Sequence, residues 1–218
     1  MKETFVKVLY DPKLEDPVLI AGLPGIGDVG VTVAKMLVEF SRASLFGRLY
    51  SSSFQDFVFI DKNGICHPPR YEFYAAKGDR DLIILTGDGS PSPEDIYGHF
   101  EVCGVLLDFV KKNCCRLMIA VDGVPTSAFG DRIFVSGTSE DIISKCVEIG
   151  ATIYSNKLVI GVSGLLLGLS KKRGLEGIYL LAPVSSIERD RKAAFKAYKF
   201  LMVLLKNLSE NNEGTRSI

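Results

Sequence analysis

No apolar run in this sequence approaches the roughly 20 residues that a bilayer-spanning helix needs. The longest, such as GIYLLAPV and FLMVLL, fall far short. The opening MKETFVKVLYDPKLEDP is too charged to hold the apolar centre of a signal peptide. The expectation is a protein that stays in the cytoplasm and has no membrane role. Net charge is missing too, since 26 Lys plus Arg balance 26 Asp plus Glu. That balance gives no general electrostatic footing for nucleic acid. The five cysteines (Cys66, Cys103, Cys114, Cys115, Cys146) are odd in number and show no C-x-x-C spacing. This argues against a disulfide framework or zinc cluster and for reduced, mostly buried thiols. Repeats, linkers and low-complexity segments are also absent, so 218 residues fit one domain around one core.

What the sequence does contain is an alternation of apolar and amphipathic runs. Strands are expected at Val18 to Ala21, Leu45 to Tyr50, Phe57 to Ile60, Tyr71 to Ala76 and Leu82 to Thr86. Further strands are expected at Leu117 to Val121, Ile133 to Val135, Leu158 to Val162 and Ile178 to Leu181. LIILT, at Leu82, is uniformly apolar, as suits a strand covered on both faces. DKNG, at Asp61, is a hairpin turn signal.

Helices are expected from Asp28 to about Phe40, after SPED, from Ser139 to about Ile149, within GLLLGLSKKRG, and from Asp190 to Leu208. In SPED, Ser92 is placed as the cap, Pro93 in the first turn, and Asp95 as the partner in a capping box. The stripe Ile96, Phe100, Cys103, Leu107 and Val110 is assigned to the core. The pattern predicts an α/β fold. It comprises a single domain over residues 1–208, with a mixed, mostly parallel sheet, helices on both faces, and a flexible polar tail at 209–218.

GLPGIGDVG places Gly25, Gly27 and Gly30 in G-x-G-x-x-G spacing between a strand and a helix. A dinucleotide site also needs an acidic residue about 20 positions on, where the second strand ends. That strand runs instead into RLYSSSF, with no Asp or Glu at its end. The simpler reading is structural: glycines permit a tight turn, and Gly30 permits close approach of helix to sheet. GVSGLL, around Ser163, nearly makes a nucleophile elbow, but Leu165 stands where glycine is required. The only histidines, His67 and His99, lie upstream of it. His99 with Cys103, four apart on one helix, supply two candidate ligands and no third. Cys66 beside His67 suggests a Cys/His nucleophile, but adjacent residues on a strand point different ways. No catalytic, cofactor-binding or metal-ligating residue is therefore assigned.

One constellation stands out. The glycine loop with Gly25 and Gly27, TGDGSPSP with Asp88, VDGVPT with Asp122, and VSG with Ser163 each follow an expected strand. Parallel strands would bring all four to one carboxyl edge, where α/β folds place ligand crevices. The final helix offers a second surface. Beyond its core stripe of Ala194, Ala197, Leu201, Leu204 and Leu208, it carries Phe195, Tyr198, Met202 and Leu205 on another face, suited to self-association.

GLPGIGDVG, LTGDGSPSP, GVSGLLLGLSKKRGLEGIYLLAP and DRKAAFKAYKFLMVLLKNL, in that order, carry a likeness over nearly the whole chain. The sequence resembles the archaeal proteasome assembly chaperone family, relatives of a eukaryotic assembly chaperone subunit. The resemblance implies an α/β sandwich similar to nucleoside phosphorylases and a non-enzymatic role in assembling proteasome α subunits into the core particle. It also implies no cofactor, and self-association into a homo-oligomer. Some archaeal members end in a hydrophobic-Tyr-any tail that docks on the α ring. Here Arg216 and Ser217 stand in those places, so binding is expected through a folded surface. The competing class is a small-molecule or nucleotide binder, or a ligase-like or phosphorylase-like enzyme, using the carboxyl-edge crevice. The glycine loop lacks a Walker lysine, and Asp88 with Asp122 is the only plausible carboxylate pair for magnesium.

Overall fold

The computed structural model describes residues 3–125 and 132–213. Its strands are β1 (Thr4–Val8), β2 (Val18–Ala21), β3 (Ser44–Ser51), β4 (Phe59–Ile60), β5 (Cys66–His67) and β6 (Tyr71–Ala76). There follow β7 (Leu82–Gly87), β8 (Leu117–Pro125), β9 (Phe134–Gly137), β10 (Thr152–Ile153) and β11 (Glu176–Val184). The helices are α1 (Val29–Phe40), α2 (Ile96–Lys112), α3 (Glu140–Glu148), α4 (Val162–Lys172) and α5 (Arg191–Glu213).

Nine strands form one sheet in the order β1-β3-β6-β7-β2-β8-β11-β9-β10. Its centre is parallel: β7 pairs with β2, β2 with β8, and β8 with β11. The β1-β3-β6-β7 side is antiparallel, as is the β9–β11 pair. Helices cover both faces of the central strands, which are therefore apolar apart from groups near their carboxyl ends such as Thr86 and Asp122. Alternate residues of β2 and β8 divide between two layers. Val18, Ile20, Ile119 and Val121 face α1, α3 and α5. Leu19, Ala21, Met118 and Ala120 face α2 and α4. The expected mixed α/β sheet with helices on both faces is what the chain forms. Among the described residues, no helix is long and apolar enough to cross a membrane.

Several local expectations change. The turn at Asp61 does close a hairpin, but it joins β4 to β5, two residues each, rather than to β6. Leu158 to Val162 is not a strand. The place beside β11 is taken by β9, and Leu158 and Ile160 are each 92% exposed. The cap of α2 is Asp95, whose Oδ1 accepts from the Gly98 N–H at 3.0 Å, while the Ser92 hydroxyl donates to Glu94. The helix therefore starts after Pro93, and the apolar stripe reaches the core only from Val102 and Cys103 onward. Ile96 and Phe100 are exposed. Ser139 caps α3 as expected. Charged TFVKV is the strand β1, which periodicity did not reveal. The last helix continues to Glu213, past the expected start of the tail, and 214–218 lie outside the described residues.

Candidate functional site

Leaving β2, the chain passes Gly22 to Gly25, makes one 3-10 turn over Ile26–Asp28 and enters α1. Gly27 takes the left-handed φ of 67° that glycine adopts without penalty. Gly25 does not: its φ of −170° is extended backbone open to any residue. Glycine is needed there because of Asp122, since a Cβ would strike Oδ1 and lie 2.9 Å from Oδ2. At Gly30 a Cβ would strike the Val121 carbonyl oxygen, so this glycine lets α1 lie against β8. The Gly27 N–H donates to the Ile187 carbonyl at 2.8 Å, and the Gly27 carbonyl accepts from the Asp190 N–H at 2.8 Å. The loop's backbone groups are thus joined to the chain ahead of α5, which accounts for the glycine spacing as turn geometry.

Asp122 is the centre of the site. It lies near the carboxyl end of β8 and is almost entirely buried. Oδ1 accepts from the Gly123 N–H at 2.7 Å, and Oδ2 accepts from the Tyr179 hydroxyl at 3.0 Å. Burial pushes its pKa up to about 6, against the downward pull of the Gly123, Tyr179 and Ile26 hydrogen bonds. The carboxyl forms the floor of a cleft of about 360 Å³ whose walls include Gly25, Ile26, Val124, Leu181, Leu158 and Ser163. Ser163 arrives from the first turn of α4 rather than from a strand end. Gly25, Asp122 and Ser163 therefore line one cleft. Gly27 is adjacent but outside the lining.

Asp88 does not join them. It follows β7, on the far side of β2 from β8, and its Oδ1 accepts from the Arg70 N–H at 2.8 Å. It borders a different groove, with Lys35, Glu39, His67, Glu72 and Tyr74. There Glu72 is partly buried, which works against its charge. The Tyr74 hydroxyl and the Arg70 and Arg48 guanidinium groups nevertheless hold its carboxyl below the usual range. The Asp88–Asp122 magnesium pair is therefore not assembled. Among the described residues no three His, Cys, Asp or Glu side chains come together as a metal site. Cys103 also departs from His99: its thiol donates to the Val162 carbonyl at 3.8 Å in the core.

Tyr179 was not singled out from the sequence, because it sits inside the apolar GIYLLAP. The available signal was chemical: a tyrosine in a buried strand needs a partner for its hydroxyl. On α5, Phe195 and Met202 are exposed, and Tyr198 is half-covered with its ring 5.7 Å from that of Phe40. Leu205 instead turns inward and is buried in the core, so the outer face is narrower than the spacing suggested.

A family model described as the PAC2 family matches residues 19–214. Pyrococcus furiosus PbaB, an archaeal proteasome activator, is 35% identical in its crystal structure. The match covers 99% of this chain and 98% of that one, at a TM-score of 0.86. Pyrococcus furiosus PbaA, an archaeal homolog of proteasome-assembly chaperone, shares the fold. It is 24% identical over 94% of this chain and 86% of its own, with a TM-score of 0.77. An uncharacterized protein of Methanocaldococcus jannaschii is 26% identical over 204 residues, covering 92% of this chain and 78% of the relative.

Proposed function

We propose that this chain, which belongs to the PAC2 family, is a non-enzymatic partner of the proteasome that binds α subunits or their assembly intermediates through a folded surface. The observation that supports this best is the likeness to PbaB, which runs through almost the full length of both chains. A shared fold alone would not carry a function; the weight lies on 35% sequence identity held along the whole of both chains.

The surface chemistry supports a protein partner. The β4–β5 hairpin exposes Val58, Phe59, Ile60 and Ile65 close together in sequence. A two-stranded hairpin this small has little stability of its own, and clustered apolar side chains on it resemble the centre of a protein interface. The exposed side of α5, with Phe195, Met202 and Val203, is the surface proposed for self-association.

The test is co-purification of the tagged full chain with a recombinant proteasome α subunit, beside an Ile60→Asp variant. The wild type is expected to retain the α subunit. Ile60 is solvent-exposed, so its variant should fold normally and retain less. A folded wild-type chain that retains no α subunit would refute the reading.

A further inference from the structure

The cleft beside Asp122 holds two groups whose needs the protein does not meet. One is the start of α4. The capping position just ahead of it is Gly161, which has no side chain to bond the N–H groups of the first turn. Those N–H groups carry the positive end of the helix dipole. Ser163, in the same turn, is only 4% exposed and lines the cleft. Its hydroxyl makes no hydrogen bond to a described residue and, unlike that of Ser53, is not sealed from solvent, so it opens onto the cleft. Together they form a receptor for an anionic oxygen.

The other group is Asp122 itself. Its two oxygens receive neutral donors only, from the Gly123 and Ile26 backbone and the Tyr179 hydroxyl. Among the described residues, no Lys or Arg lines the cleft. A buried carboxylate without a cation is costly. The upward shift of its pKa to about 6 reflects the same deficit.

An anion alone would sit near Asp122 with no opposing charge. A cation alone would leave Ser163 and the end of α4 unmatched. Both are satisfied by one small molecule carrying both charges. The apolar walls at Ile26, Val124 and Leu181, and the volume of about 360 Å³, suit an aliphatic body of leucine size. We infer that this cleft binds a small zwitterion of the aliphatic amino-acid class, its ammonium at Asp122 and its carboxylate at Ser163 and the first turn of α4.

Titration calorimetry on the full chain tests this with three probes: L-leucine, leucinamide without the carboxylate, and 4-methylpentanoate without the ammonium. Leucine is expected to bind, with each truncated probe weaker by about tenfold or more. Ser163→Ala should weaken leucine and leave leucinamide unchanged. Asp122→Asn should weaken leucine without weakening 4-methylpentanoate. Circular dichroism checks each variant, and if Asp122→Asn does not fold, the Ser163→Ala comparison decides alone. Absence of leucine binding at about 10 mM, or equal binding of leucine and leucinamide, would overturn the inference. So would a Ser163→Ala variant that binds leucine like the wild type.

Discussion

The Tyr179 hydroxyl donates to Asp122 Oδ2 at 3.0 Å between the parallel neighbours β11 and β8. Both groups are buried, and each supplies the other's partner. Tyr179→Phe should therefore destabilise the protein by about 1–3 kcal/mol, since it strands a buried acceptor as well as losing a bond. Urea unfolding followed by circular dichroism measures the difference. A variant within error of wild type would show that Asp122 finds another donor.

The two glycines nearest this pair respond for different reasons. At Gly30 an added methyl meets the backbone carbonyl of Val121, which cannot rotate away. At Gly25 it meets the Asp122 side chain, which can move only by giving up its hydrogen bonds. Gly30→Ala should cost more than Gly25→Ala, with losses of about 1–3 kcal/mol or more for overpacking. Thermal melts of the two variants side by side check the order.

Acid and neutral pH should act oppositely through two aspartates. Asp190 Oδ1 accepts from the Ala193 N–H, and Oδ2 accepts from the Ser185 N–H and hydroxyl. These bonds hold its pKa down to about 2 from 3.8, so its stabilisation is present above pH 3.8 and lost as pH falls toward 2. Asp122 is raised from 3.8 to about 6, so the folded state holds its proton more tightly and stability declines as pH rises between those values. Asp190→Ala is expected to cost about 1–2 kcal/mol at neutral pH and progressively less in acid. Urea midpoints from pH 2 upward, for wild type and variant, give the two profiles.

Thiol accessibility gives a check on the core. Burial pushes Cys103 up to about 12 and Cys115 and Cys146 up to about 11. Cys66 and Cys114 are exposed. A thiol reagent should label those two in the native protein and all five once it is unfolded. Rapid native labelling of Cys103 would contradict the packing of α2 against α4.

The self-association proposed for α5 can be tested apart from folding. Phe195→Glu with Met202→Glu alters exposed positions and should convert a larger species to a 23.9 kDa monomer in light scattering. Leu205→Glu places a charge in the core and should unfold the chain instead. A wild type that is already monomeric at micromolar concentration would refute the proposal.

The sheet's centre was legible in the sequence because strands covered on both faces are apolar at nearly every position, as in LIIL at Leu82. Edges were less so. TFVKV carries charge because only one of its faces is covered, and Leu158 to Val162 is apolar without pairing at all. The start of α2 was misplaced because Ser92 and Asp95 have equal capping chemistry, and only the fold chooses between them. At the site, spacing brought forward Gly25, Asp122 and Ser163, since loops at one carboxyl edge converge. It also brought forward Asp88, which lies on that edge but on the other side of β2. Strand order decides such a question, and no local pattern encodes it.

Strand β2 has an awkward history during synthesis. Val18 pairs with Leu82 on one side and with Leu117 on the other, so both neighbours leave the ribosome long after it does. Four wholly apolar residues must wait without hydrogen-bonding partners until β7, the last strand of the β3–β6–β7 meander, is made. Non-local parallel pairing of this kind is slow to form and exposed to aggregation. A nascent chain halted before Leu117 would lack the strand that closes its centre. The earliest point at which this protein can become native is therefore set well past the middle of its own translation.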